Sequence, residues 1–237
     1  MSKYRACIIG AGRIGVEFED CHARAYKQHP DIDLVAIFDK KLKKADAAAD
    51  RWHVPCIGDQ YWSMGELGLD IVSICTPPQT HLEVTIAALA CNTQLKAIYC
   101  EKPIAILLDD AREMVDRCRE QNVMLFINHQ RRFGRPTFSF ARGLFNTGTH
   151  MVDLLCQYFG PVKEVTKNCI HFNHISVDIK DLGTQDYVFD LKIPTHDLVI
   201  RGVEHIVNCI EGKATPVSTG DDGLADLEVL WKLKNLS

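Results

Sequence analysis

The chain has 237 residues, enough for one large or two small domains around a sizeable core, and 46% of them are hydrophobic. Its 27 Lys and Arg stand against 31 Asp and Glu, a formal charge of −4 with no long basic run, which argues against a nucleic-acid surface. No apolar run reaches the length of about 18 residues that a membrane-crossing helix needs, so no membrane partner is expected. The start, Met1-Ser2-Lys3-Tyr4-Arg5, runs straight into an apolar stretch without a signal-peptide pattern, and none of the ten cysteines forms a C-x-x-C pair. Both features predict a cytoplasmic protein with reduced, mostly buried thiols and no metal site.

In chain order, an apolar strand at 5–9 breaks into Gly10-Ala11-Gly12-Arg13-Ile14-Gly15, and a helix is predicted over 13–28. Its glycines have the G-x-G-x-x-G spacing of a dinucleotide-binding turn. The first permits the tight turn, the second lets backbone approach a pyrophosphate, and the third lets helix and strand pack closely. A second strand at 33–38 ends on Asp39, 24 residues past Gly15, where a ribose-binding carboxylate belongs. A helix is predicted over 42–51, a short one over 61–67, a strand over 70–75 and a helix over 79–91. A strand at 97–100, a helix at 108–121 and a strand at 123–127 complete the series. Strands that alternate with helices across short turns predict a doubly wound parallel sheet over residues 1–128. Ligands of such sheets bind beyond the carboxyl ends of the strands. Three polar clusters fall there: Gly10 to Gly15, Thr76 to His81, and Glu101-Lys102-Pro103.

After Asn128 the rhythm changes. The basic stretch Gln130 to Pro136 reads as a crossover into a second α/β unit spanning 129–237. The segment from Asn146 to Leu155 is predicted to open a helix, with Thr147 or Thr149 as its cap, that ends near Phe159; strands are predicted within 162–172, 174–179 and 187–193, and helices over 198–210 and 224–233.

The combination of the glycine turn, Cys75-Thr76-Pro77-Pro78 with His81, Glu101-Lys102-Pro103 and Gly148-Thr149-His150-Met151-Val152-Asp153 resembles the Gfo/Idh/MocA family, the glucose-fructose oxidoreductase and inositol dehydrogenase group. The segment from Ile210 to Gly223 is similar to the closing part of that family. The resemblance implies an N-terminal Rossmann domain followed by an α/β domain with an open, mainly antiparallel sheet. It also implies a nicotinamide cofactor, a sugar- or cyclitol-like substrate, and a homodimer or homotetramer. Two features depart from the family pattern. Only 17 positions separate Phe133 from His150, so the second domain reads as truncated. Asn146 stands where family dehydrogenases often carry an aspartate.

Oxidation of a secondary alcohol sends a hydride to the nicotinamide and a proton to a base that titrates near the working pH. Lys102 is the first candidate base, against a surface lysine ahead of a helix. His150 is the second, against a satisfied core histidine. Asn146, Asp153 and Arg132 are candidate substrate contacts; their plainer readings are a cap, a salt bridge and, for Arg132 with Arg131, a domain-bridging pair. The cofactor set is Gly10, Gly12, Arg13, Ile14, Gly15, Asp39, Thr76, Pro77, His81, Glu101 and Lys102. Within it His81 also reads as structural, and Glu101 either touches ribose or fixes its turn. Asp39 favours NAD, while Lys40, Lys41, Lys43 and Lys44 keep NADP open. The function expected is an NAD(P)-dependent oxidoreductase. The alternatives are a non-catalytic dinucleotide-binding regulator and a glycoside-cleaving enzyme that passes through a keto intermediate.

Overall fold

The computed structural model describes residues 4–58, 60–133, 137–138, 147–166, 169–172, 176–178, 187–188 and 197–236. Six parallel strands form its main sheet, in the order β3-β2-β1-β4-β5-β6. They are β1 (Tyr4–Ile9), β2 (Ile32–Phe38), β3 (Cys56–Gly58), β4 (Ile71–Ile74), β5 (Ala97–Cys100) and β6 (Met124–Ile127). Every residue of β4 and β5 is buried, as their apolar runs require of central strands covered on both faces.

The strands' alternation sends their side chains into two cores. On one face Ile9, Phe38, Val72, Ile98 and Ile127 pack with α3 (His81–Cys91) and α4 (Leu108–Glu120). On the other, Ile8, Ile37, Tyr99 and Phe126 pack with α1 (His22–Gln28) and α2 (Leu42–Trp52). Each fully buried aliphatic or aromatic side chain contributes about 1.5–3 kcal/mol here.

Beyond residue 133, two short antiparallel sheets are described: β8 (Glu164–Val165), β9 (Cys169–His171) and β10 (Ser176–Asp178) in one, β7 (Thr137–Phe138) with β11 (Tyr187–Val188) in the other. Val152, Leu154 and Leu155 of α5 (Thr147–Phe159), Ile170, and Leu230 of α7 (Gly220–Leu236) form a third core beside them. Helix α6 (Leu198–Ile210) instead lies on the main sheet's second face, because Val199, Val203, Ile206 and Val207 line one side of it.

Three elements differ from expectation. The helix over 13–28 divides into one wide turn at Arg13–Glu17 and α1, with Phe18 already extended. The reason is Asp20, whose carboxylate accepts the N–H groups of Leu198 (2.7 Å) and Val199 (3.1 Å) and caps α6. Strand β3, three residues long, carries no period for the sequence to announce. Helix α7 starts earlier than 224 because Thr219 and Asp222 cap it: Asp222 Oδ2 accepts the Thr219 N–H at 2.7 Å.

Candidate active site

The carboxyl ends of β1, β2, β4, β5 and β6 share one sheet edge, and the chain's polar motifs collect along it. Gly10, after β1, has φ +106°, and a Cβ there would lie 2.6 Å from the Cys75 carbonyl. A Cβ on Gly15 would collide with the Gly10 carbonyl oxygen. Gly12 faces open space, with nothing within 4 Å of where its Cβ would be, which is the room a pyrophosphate needs. The wide turn closes through Val16 N–H to Gly12 O (2.9 Å), and exposed Arg13 stacks on the Phe18 ring at 4.8 Å. Ile14 is half-buried beneath it.

Asp39 is fixed from both sides. Its carboxylate accepts the Ala11 N–H at 2.9 Å and the Lys41 N–H at 2.8 Å. It stands at a cleft of about 660 Å³ that passes Gly10, Gly12, Lys40, Lys41, Lys44, Trp62, Thr76 and Pro77. His81 is fully buried, with Nε2 at 2.9 Å from the Thr76 carbonyl and Nδ1 at 3.0 Å from that of Ile104. It ties together the two loops that flank the cleft, and burial pushes its pKa down.

Lys102 follows β5, half-buried. Burial lowers its pKa; Glu101 opposes the shift and Arg131 adds to it. Glu101 itself turns inward, accepting from His22 Nε2 at 3.0 Å and from Asn128 Nδ2 at 2.6 Å. Burial opposes its ionisation, yet these donors hold its carboxyl below the usual range.

His150, on the first turns of α5, is 7% exposed. Burial first, then the charges of Lys102, His129 and Arg131, push its pKa well below the ordinary value, so the imidazole is neutral at neutral pH. Among the described residues its Nδ1 has no hydrogen-bond partner. A buried, neutral, unsatisfied nitrogen within the field of a lysine suits a substrate hydroxyl.

Behind His150 lies a cluster that the sequence did not announce. The rings of His129 and His150 meet edge to face at 6.3 Å. His129 Nδ1 is 2.9 Å from Asp153 Oδ1, and its Nε2 is 3.4 Å from Asp226 Oδ2. Arg132 Nε donates to Asp153 at 2.7 Å, and the guanidinium also reaches Asp222 at 3.3 Å. Burial works against the Asp153 carboxylate, but His129 and Arg132 outweigh it and lower its pKa. Burial and the Asp153 charge push the Asp226 carboxyl well above its usual range. The ligand atoms of His129, Asp153 and Asp226 lie within 4.8 Å of one another, as a metal site would demand, but Arg132 already supplies positive charge to the shared carboxylate.

Arg132 and Asp153, both expected to touch substrate, are thus turned toward each other, with the arginine side chain only 8% exposed and the aspartate fully buried. Asn146 lies outside the described residues. His129 and Asn128 could have been found from their place at the end of β6. His22 and Asp226 sit within helices and gave no signal.

Residues 4–129 match the sequence profile of a family described as an oxidoreductase family with an NAD-binding Rossmann fold. The chain is 34% identical over 137 residues to D-glucoside 3-dehydrogenase of Escherichia coli K12, a stretch covering 57% of this chain and 37% of that protein. It is 31% identical over 132 residues to myo-inositol 2-dehydrogenase of Thermotoga maritima, covering 55% and 37%. The match thus spans little more than a third of these relatives' own length. Among solved structures, the WlbA dehydrogenase of Bordetella pertussis, in complex with NADH and UDP-GlcNAcA, superposes over 99% of this chain and 96% of that one. Its TM-score is 0.74 at 21% identity. An oxidoreductase of Agrobacterium radiobacter, with NAD+, L-tartaric acid and magnesium, gives 0.77 at 15% identity over 99% and 96%. At these identities the likeness speaks for the fold alone. Among the described residues no helix is long and apolar enough to cross a membrane.

Proposed function

Because the chain belongs to the Gfo/Idh/MocA oxidoreductase family, we propose that it moves a hydride between NAD and a sugar- or cyclitol-like alcohol or ketone. Residues 1–128 hold the cofactor, and 129–237 supply the groups on the substrate side. The observation that carries the reading is the meeting of Lys102 and His150 at the sheet edge that also bears the glycine turn. Lys102 is half-buried and His150 buried, and burial lowers the pKa of both.

The residues fit the cofactor. Gly12 leaves room for the pyrophosphate, Asp39 presents fixed carboxylate oxygens to a ribose diol, and Thr76 and Pro77 line the same cleft. When bound, the nicotinamide supplies the hydride acceptor. Lys102, whose pKa burial lowers, takes the hydroxyl proton from the alcohol in its neutral form. In the reverse direction its ammonium returns that proton and polarises the carbonyl oxygen. His150 orients the substrate hydroxyl through its unsatisfied nitrogen. Arg132 and Asp153 brace α5 beneath it. Asp39 makes NAD the first choice, because a carboxylate there repels a 2′-phosphate; the neighbouring lysines leave NADP as the second. A cytoplasmic location and a homodimer or homotetramer complete the proposal.

The test mixes the purified chain with NAD or NADP and a panel of glucosides and cyclitols and follows the absorbance of reduced nicotinamide. Reduction that Lys102→Ala abolishes supports the reading. Measured NAD binding with no reduction across the panel overturns it in favour of a dinucleotide-binding regulator.

A further inference from the structure

We propose that Glu101 is a positioning residue for Lys102, its carboxylate held immobile by a one-way chain of buried hydrogen bonds, directly before the lysine in the chain, so that its fixed charge favours the lysine's ammonium. This rests on the proton-accepting role given to Lys102 above and extends it.

The chain can be followed donor by donor. The Tyr26 hydroxyl of α1 donates to Ser73 Oγ of β4 at 2.6 Å. Ser73 then donates to His22 Nδ1 at 2.8 Å, and His22 donates through Nε2 to Glu101 Oε1 at 3.0 Å. From the other side the Tyr99 hydroxyl donates to Asn128 Oδ1 at 2.5 Å, and Asn128 Nδ2 donates to the same Glu101 oxygen at 2.6 Å. Each hydroxyl has one proton and uses it once, and the directions agree with a His22 that carries its proton on Nε2. Both arms end on one acceptor. Tyr26, Ser73 and His22 are fully buried, Tyr99 and Asn128 are 1% exposed, and Glu101 is 8% exposed. The chain therefore has no outlet to solvent through Tyr26. It cannot relay a proton out; what it does is aim a carboxylate.

The backbone is pinned as well. Glu101 N–H donates to Ile74 O at 2.9 Å and Asn128 N–H to Cys100 O at 2.8 Å, so carboxylate and amide ride on adjacent strands. A network so fully satisfied is rigid, and in a low-dielectric interior its one negative charge acts strongly on a neighbour. That neighbour is Lys102. Glu101 favours its ammonium, and Arg131, beyond β6, opposes it; His150, on α5, feels the lysine's charge in turn. The groups facing Glu101 are His22 from α1, His81 from α3, Asn128 after β6, Lys102, and the undissociated Cys75, Tyr99 and Cys100. Glu101 thus keeps the lysine from losing its proton permanently to burial, which a group that must both take and return a proton requires.

The test reads Lys102 directly. Lysines are dimethylated with 13C-formaldehyde, and the Lys102 signal, assigned by its loss in Lys102→Arg, is titrated by NMR. Glu101→Gln keeps an acceptor oxygen for His22 and Asn128 but removes the charge. In folded Glu101→Gln the Lys102 midpoint is expected to fall by about one pH unit or more, and in Glu101→Asp to return most of the way. An unchanged midpoint in folded Glu101→Gln overturns the proposal. Should that variant not fold, the wild-type chain labelled with carboxyl-13C glutamate gives the reciprocal reading. The Glu101 resonance is then expected to inflect at the Lys102 midpoint and to lose the inflection in Lys102→Met; no inflection overturns the proposal. Neither measurement needs substrate or turnover, so absence of hydride transfer would count against the proposed function and leave this result readable by itself.

Discussion

Two buried polar groups flank Lys102, and they are built on opposite principles. The His22–Glu101–Asn128 group assigns every proton to an acceptor. The His150–His129–Asp153–Asp226 group does not: among the described residues His150 Nδ1 and Asp153 Oδ2 have no hydrogen-bond partner, His129 is shared between two carboxylates, and Asp226 is pushed toward its protonated form. An unsatisfied buried polar atom costs roughly 1–3 kcal/mol, so a fold keeps several in one place where something else satisfies them. The satisfied group reads as scaffold, and the unsatisfied group as the side on which a ligand is received.

The largest expected effect lies between the two. Lys102→Ala should lower turnover by about a hundred- to ten-thousandfold while NAD binding, measured by calorimetry, stays near wild type. Lost binding in a folded variant would move Lys102 out of the chemistry and into the cofactor site. Arg132→Met attacks the unsatisfied group from beneath. Removing the cation leaves buried Asp153 with His129 as its one remaining partner among the described residues, and denaturant unfolding should show a loss of up to about 3 kcal/mol. Because the Asp153 pKa is held low in the folded chain, its stabilisation is present above the unfolded carboxylate value and lost as pH falls through the folded one. The variant should therefore lose less stability on acidification than the wild type does.

His150→Gln should lower turnover by about a hundredfold with a smaller change in unfolding than Arg132→Met, since the His150 Nδ1 supports no hydrogen bond among the described residues. A large loss of stability with unaltered turnover would place His150 with the scaffold instead. The smallest effect is at the far end of the cleft. Asp39→Ser should weaken NAD by about tenfold and narrow its advantage over NADP, as read from the two dissociation constants.

The sequence made the scaffold legible and the receiving side only in part. Unbroken apolar runs at 70–75 and 97–100 are what strands buried on both faces look like, and the fold has β4 and β5 there. Glycine spacing and Asp39 are local, and the structure has the carboxylate against the turn, through Ala11. What stayed hidden depends on partners far along the chain. Asp20 breaks an otherwise helical stretch to cap a helix 178 residues away. Arg131 and Arg132 are indistinguishable as neighbours in sequence, yet one faces Lys102 and His150 while the other is held by Asp153 and Asp222. His22 reads as one more polar residue of a helix until β4 and β5 are set against it.

The contrast between the two groups can be measured in a single experiment. In 15N-histidine spectra, NAD added to the wild-type chain should move the His150 nitrogens, which face the site, and leave the Nε2-protonated His22 where it was. A His22 signal that moves while His150 stays silent would contradict the account, because scaffold and receiving side would then have exchanged roles.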